Sequence, residues 1–269
     1  MSFEYLMKNY NIYPNILEYG YFTEPIPKDL HKYEYVFIDS DIPVVLPVNI
    51  VQLHTSPMRG DGMYSWFRED ISYINPFEPL PMREQPTIGF VGRIPIFEGN
   101  KLHQYFEFRY YPVNDLIKSN EIGTDFHIRT QPIGESASFW DALPLEMQQK
   151  DRYLFESNML ANHYQLCPRG NGNRSRRFYE TLAYGRIPVY IESNGYIAFG
   201  NFIDYFSGDI PFVFTDMKNA VNELLDFHEN HDIRECQCLC RQMYDDYFSH
   251  NAQTRLFNKY CNEMRPIKV

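Results

Sequence analysis

Long apolar runs are missing from this chain of 269 residues. None approaches the ~18 residues that cross a bilayer as a helix, so no membrane span is expected. A secretory leader is missing too. The opening MSFEYLMKNYNIYPN has no basic stretch running into an apolar one, and the expectation is a soluble, cytoplasmic protein. Excess positive charge is absent: 25 Lys and Arg face 35 Asp and Glu, for a net charge of −10. Such a balance excludes nucleic-acid binding by bulk electrostatics. Cysteine is scarce and odd in number, at five residues, which argues for free thiols. The run CQCLC (Cys236, Cys238 and Cys240) is too tightly spaced for a structural zinc site. On a helix its sulfurs spread around the axis, so these cysteines are read as small apolar residues. Two nucleotide-binding signatures are also lacking: Gly170, Gly172 and Gly185 do not fit G-x-G-x-x-G, and no G-K-[ST] occurs. Dehydrogenase and P-loop ATPase readings are thereby weakened.

What remains is a chain able to build a real core. Apolar residues make up 44% and aromatic residues 17%, enough for one large domain or two small ones. There is no internal repeat and no low-complexity tract. The first ~30 residues are rich in Tyr and Pro and read as irregular. YEYVFI (33–38) and VNIVQLH (48–54) are strand candidates, and TSPMRGDGMYSW (55–66) reads as a loop. NPFEPLPMREQP (75–86), with four prolines in twelve residues, reads as a linker.

Beyond that point the pattern turns regular. TIGFVG (87–92), DFHIRT (125–130), YQLCP (164–168), IPVYI (187–191) and IPFVFT (210–215) are predicted strands. Predicted helices lie over the polar, aromatic segment ending near Ser119, over 145–160, over 175–185 with a glycine stop, over 217–230 and over 233–248. Strands alternating with helices predict βαβ units, a parallel sheet and an α/β domain of the doubly wound, nucleotide-binding type. Ligands in such sheets sit at the carboxyl ends of the strands.

The stretch CPRGNGNRSRRFYETLAYGRIPVYI (167–191) concentrates positive charge in an acidic protein. A strand, a glycine loop and then a helix make an anion site, because unpaired first-turn N–H groups point outward. Gly170 lets the backbone approach closely, with Asn171 in the same loop. Ser175 or Asn173 is placed to cap the helix. Arg169 stands at the strand end and Arg177 in the first helical turn, and a guanidinium suits phosphate through two parallel hydrogen bonds. Glu180, three residues after Arg177, projects from the same face. A carboxylate beside a diphosphate is unfavourable unless it has other work, and accepting from a ribose diol is such work. The alternative for these two residues is a surface ion pair of little worth.

LCPRGNG followed by SRRFYETLAYGRIPVYI resembles the signature of the exostosin family of glycosyltransferases, and TIGFVGR and DFHIR precede it in the family's order. The resemblance covers about residues 87–191. Compact, virus-encoded xylosyltransferases are among the members it brings closest. It implies a GT-B fold, in which two Rossmann-like parallel-sheet domains face each other across a cleft. Residues 1–84 would then form the acceptor side, with a C-terminal helix at 252–269 packing back on it, and 85–251 the donor-binding domain. The implied activity is inverting transfer of a sugar, xylose being the expected one, from a UDP-sugar to a glycan hydroxyl.

By the same resemblance Arg177 and Glu180 fall on the diphosphate and ribose positions. Gly92 and Arg93 would face the donor crevice, and Arg129 would line the nucleotide pocket. No cofactor and no metal is expected, since arginines and a helix amino terminus can stabilise the departing diphosphate. Asp39-Ser40-Asp41 is a D-x-D string, read here as a solvated turn. A general base is still required, and Asp61 and Asp39 are the candidates, with Asp41, His54, Glu69 and Asp70 behind them. Two other readings stay open: a non-catalytic glycan-binding or assembly protein on a transferase scaffold, and a fucosyltransferase-like user of GDP-sugars.

Overall fold

Four short strands, β1 (Ile16–Tyr19), β2 (Tyr35–Ile38), β3 (Val51–His54) and β4 (Tyr64–Ser65), form a parallel sheet in that order. The computed structural model describes residues 77–94, 104–129, 144–169, 175–192, 210–249, 251, 252 and 255; for these four strands and for residues 104–106 it describes the backbone alone. Strands β2 and β3 match the expected ones. Strands β1 and β4 fall in stretches read as irregular and as loop. Four residues and two residues are too few to display an alternation of apolar and polar positions, so pairing with a neighbour is what makes them strands. The C-terminal helix expected over 252–269 lies largely outside the described residues.

The second sheet has five strands: β5 (Thr87–Arg93), β6 (Gly123–Arg129), β7 (Tyr164–Cys167), β8 (Ile187–Ile191) and β9 (Val213–Thr215). All pair in parallel, in the order β6-β5-β7-β8-β9. Helices α1 (Gln104–Lys118), α2 (Leu145–Ala161), α3 (Arg176–Ala183), α4 (Ala220–Asn230) and α5 (Ile233–Met243) surround it, and one π-helical turn (Tyr244–Phe248) extends α5. The chain is thus α/β with parallel sheets, as the pattern predicts. Counted within this unit the strand order is 2-1-3-4-5, with its switch point between β5 and β7. Right-handed crossovers set α1 on one face and α2 and α3 on the other. Helix α1 packs on α4, and α3 on α5.

Covering on both faces explains the unbroken apolar strands. Every residue of β7 and β8 is buried, whereas the edge strands β6 and β9 keep exposed positions. Ile88, Leu166, Val189 and Ile191 are fully enclosed, each contributing about 1.5–3 kcal/mol relative to exposure. Helix α3 stops where its glycine predicts. Gly185 has φ +60, and it donates to the Leu182 carbonyl at 2.9 Å while Arg186 N–H donates to Thr181 at 2.9 Å. This is the paired closure that left-handed glycine permits. Helix α5 opens on Asp232, whose carboxylate accepts from the N–H groups of Arg234 and Glu235. Its cysteines behave as read from spacing: Cys236 and Cys240 are buried one turn apart, and Cys238 is exposed.

The Pro-rich stretch is packed down over residues 77–86 rather than strung out as a linker. Gln237, fully buried in α5, accepts from Leu80 N–H at 2.9 Å and donates to Leu80 C=O at 3.1 Å. His163 Nε2 pairs with the Pro81 carbonyl and His228 Nε2 with the Arg83 carbonyl, both at 2.9 Å. Proline composition reports backbone stiffness, while docking depends on carbonyls and apolar rings that find partners only in the folded domain.

Candidate active site

Strands β5 and β6 stay paired over seven residues, from Thr87–Gly123 to Arg93–Arg129. Strands β5 and β7 pair only at Ile88–Tyr164 and Gly89–Gln165, near their amino ends. Toward the carboxyl ends no register pair joins them, which is the place where a doubly wound sheet is expected to open its switch-point crevice. Arg93 ends β5, Arg169 follows β7, Arg109 comes from α1 and Arg177 from the first turn of α3.

Arg177 lies over the Phe90 ring, 4.5 Å from its centroid, and its Nη2 donates to the Val91 carbonyl. Gly92 makes that approach possible. A Cβ there would stand 3.2 Å from Arg177 Nη2 and 2.8 Å from the Phe90 ring. The Arg177 Nε is buried and has no partner among the described residues. Burial lowers the pKa of the guanidinium below its ordinary value, while Cys167 and Glu180 oppose that fall.

Arg109 spans the crevice. Its Nε donates to the Arg169 carbonyl at 3.0 Å and its Nη1 to the Arg93 carbonyl at 3.1 Å. Burial, followed by repulsion from Arg177, Arg93 and Arg169, brings its pKa down to about 10. Arg169 is buried and its guanidinium lies 5.9 Å from the Phe108 ring centroid.

Beside the crevice is a cavity of about 570 Å³ lined by Val91, Arg129, Asp151, Phe155, Arg177 and Glu180, among others. Arg129 forms an ion pair with Asp151 of α2. Burial raises the Asp151 carboxyl above its ordinary value, against the pull of Arg129. Glu180 is buried to 9% exposure, and its Oε1 pairs with Arg176 Nε at 3.3 Å. The helical pair therefore forms at i,i+4 with Arg176, not at i,i+3 with Arg177. Arg177 is drawn instead toward the strand by the Val91 carbonyl and the Phe90 ring.

Of the residues singled out from sequence, Arg129, Arg177 and Glu180 line one cavity, and Gly92, Arg93 and Arg169 border the adjoining crevice. Ser175 does head α3, in extended backbone at φ −108 and ψ 107, but its hydroxyl accepts no capping hydrogen bond. Gly170 and Asn171, and the general-base candidates Asp39 and Asp61, lie outside the described residues. Arg109, Asp151 and Phe155 escaped the sequence reading. Arg109 carried a usable signal: the helix after the first strand of a doubly wound unit starts at the carboxyl edge. Among the described residues no three His, Cys, Asp or Glu side chains gather in a metal-binding group, and no helix is long and apolar enough to cross a membrane. Chemically, this edge offers guanidinium groups, a helix amino terminus with no side-chain cap among the described residues and two carboxylates, Asp151 and Glu180, a set that fits a polyanion attached to a diol.

No family model matches the sequence, and neither does any curated protein. Among solved structures the chain is similar to a point mutant of S. aureus TarM in complex with fondaparinux, alpha-GlcNAc-glycerol and UDP. Identity is 10%, the TM-score is 0.39, and the match covers 86% of this chain and 44% of that one. The chain thus spans less than half the length of that TarM chain. It is also similar to a variant of the wall teichoic acid polymerase TagF, at 10% identity and a TM-score of 0.32, over 97% of this chain and 84% of that one. Likeness of this degree identifies neither a family nor an activity, and the chemistry of the arginine-lined crevice and its cavity carries the functional reading.

Proposed function

We propose that the chain is a glycosyltransferase of GT-B architecture that moves a sugar from a UDP-sugar to a glycan hydroxyl. Residues 85–251 bind the donor, with 77–84 docked on them, and the rest of residues 1–84 with 252–269 forms the acceptor side. One observation carries this reading: Arg177 and Glu180 line the same cavity at the carboxyl edge of a doubly wound sheet, next to a crevice bordered by Arg93, Arg109 and Arg169. In this reading the diphosphate meets Arg93, Arg169, Arg177 and the amino end of α3, and the ribose hydroxyls donate to Glu180. The Nε of Arg177, which has no partner among the described residues, gains an acceptor when the donor binds.

Transfer is a single displacement with inversion. The acceptor oxygen bonds to the anomeric carbon, and the bond from that carbon to the phosphate oxygen breaks. The electron pair leaves with UDP, and the hydroxyl proton passes to a carboxylate, Asp39 or Asp61. The arginines and helix N–H groups stabilise the charge that grows on the departing diphosphate. No metal is part of this scheme, and xylose is the expected sugar.

Incubation with UDP-xylose, UDP-glucose, UDP-glucuronate, UDP-GlcNAc and UDP-galactose, each with glycan acceptors, tests the reading through UDP release. Release that survives EDTA is expected. A strict, restorable metal requirement would point instead to Asp39 and Asp41. Stabilisation by GDP and not UDP in a thermal-shift assay would transfer the reading to GDP-sugars. No release, and no binding of either nucleotide, would overturn it.

A further inference from the structure

A crevice between unpaired strand ends has no backbone ladder to set its width. Beyond Gly89 and Gln165 the two strands share no register pair, yet Arg93 and Arg169 must hold a fixed spacing if both are to meet one anion. Arg109 ties the two ends together through one guanidinium shared between two main-chain carbonyls. We propose that Arg109 is a positioning residue: its bridge between the carbonyls of Arg93 and Arg169 sets the width of the switch-point crevice and so the reach of both side chains toward a diphosphate. This inference rests on the donor-site reading above.

The electrostatics make the placement hard to explain by stability alone. A guanidinium here is partly desolvated and repelled by Arg177, Arg93 and Arg169. A neutral donor could satisfy a carbonyl without that repulsion. A planar cation does two things together: it donates in two directions at once, and it adds positive potential where an anion is to sit. Lysine keeps the charge but offers one ammonium in place of the fork, so Arg109→Lys separates geometry from charge.

The test is calorimetric titration of wild type, Arg109→Lys, Arg169→Gln and the double variant with UDP and with inorganic pyrophosphate. Circular dichroism and a cooperative thermal transition report that each is folded. Loss of two bonds to the strand ends is expected to weaken pyrophosphate binding in Arg109→Lys by about tenfold or more. In the Arg169→Gln background the same change is expected to cost much less, because the residue being positioned is gone. Amide hydrogen exchange over 91–94 and 167–169 is expected to quicken in Arg109→Lys without any ligand. Wild-type affinity in Arg109→Lys, or additive losses in the double variant, would overturn the positioning role and leave the donor-site reading standing. A wild-type protein that bound neither UDP nor pyrophosphate would overturn the donor-site reading itself, and the positioning role with it. Should Arg109→Lys fail to fold, Arg109→Gln, which keeps one donor and loses the charge, takes its place with the same expected loss and the same overturning outcomes.

Discussion

Glu180 pairs with Arg176, while Arg177, the neighbour on the same turn, reaches back to Val91 and Phe90. The two arginines thus serve different ends. Arg176 is 55% exposed at its side chain, so solvent screens its pair with the buried Glu180 to at most about 1 kcal/mol. Glu180→Gln is therefore expected to leave the melting temperature nearly unchanged. It is also expected to lower UDP affinity by about tenfold, since bonds to a charged acceptor weaken. Pyrophosphate affinity should not move. Parallel calorimetry with UDP and pyrophosphate checks this, and equal UDP affinity in variant and parent would remove the ribose role.

Arg177 is held by a buried contact and an aromatic face, so its loss acts on both stability and binding. Arg177→Ala is expected to cost about 1–3 kcal/mol of stability and to abolish measurable pyrophosphate binding. Arg176→Ala, beside it, removes a half-exposed cation that lines the same cavity and pairs with Glu180, and is expected to cost at most about 1 kcal/mol of stability and to weaken pyrophosphate binding less than Arg177→Ala does. Urea denaturation and titration of both variants decide the assignment. Equal losses in the two would show that the first turn contributes only general positive potential.

Gly185 and Phe77 share one space. A Cβ on Gly185 would lie 2.1 Å from the Phe77 ring, on a residue at φ +60. Gly185→Ala therefore meets two penalties: about 1–2 kcal/mol for left-handed backbone and a displaced ring. Placing Phe77→Ala in the same chain removes the second. The double variant is expected to lose less than the sum of the singles, measured by urea denaturation. Strict additivity would mean the strap at 77–86 does not bear on the α3 stop.

His163 is fully buried, with Nε2 on the Pro81 carbonyl and Nδ1 on the Thr87 hydroxyl. A carbonyl only accepts, so Nε2 carries a proton, and the Thr87 hydroxyl can donate to Nδ1 of the neutral ring. Burial lowers its pKa below the ordinary 6.5, and Arg83, His228 and Arg186 add to the fall. The sign follows from linkage. The unfolded chain binds the proton first, so this contribution is complete above about pH 6.5 and declines as pH falls toward the folded value. The slope is at most about 1.4 kcal/mol per pH unit. His163→Gln should flatten that part of the stability curve, and an unchanged slope would assign the acid loss elsewhere.

Much of this chain could be read from local chemistry. The five strands from 87 to 215, the helices between them and the stop at Gly185 follow from apolar periodicity and glycine conformation, which act over a few residues. Arg177 and Glu180 were recognisable because their spacing on one helix sends both to one side. Charge pairing on α3 was not recognisable. Whether Glu180 takes Arg176 or Arg177 depends on what else attracts each arginine, and for Arg177 that is a strand carbonyl 86 positions away.

The sequence by itself determined the α/β alternation, the glycine-marked ends and the concentration of arginine after β7, because each depends on a residue and its near neighbours. Tertiary structure alone decided the strand order that opens a crevice between β5 and β7, the docking of the proline-rich strap, and the arrival of Arg109 from α1 at that crevice. Those depend on which distant carbonyls are left without a partner when the sheet assembles, and no local pattern encodes that.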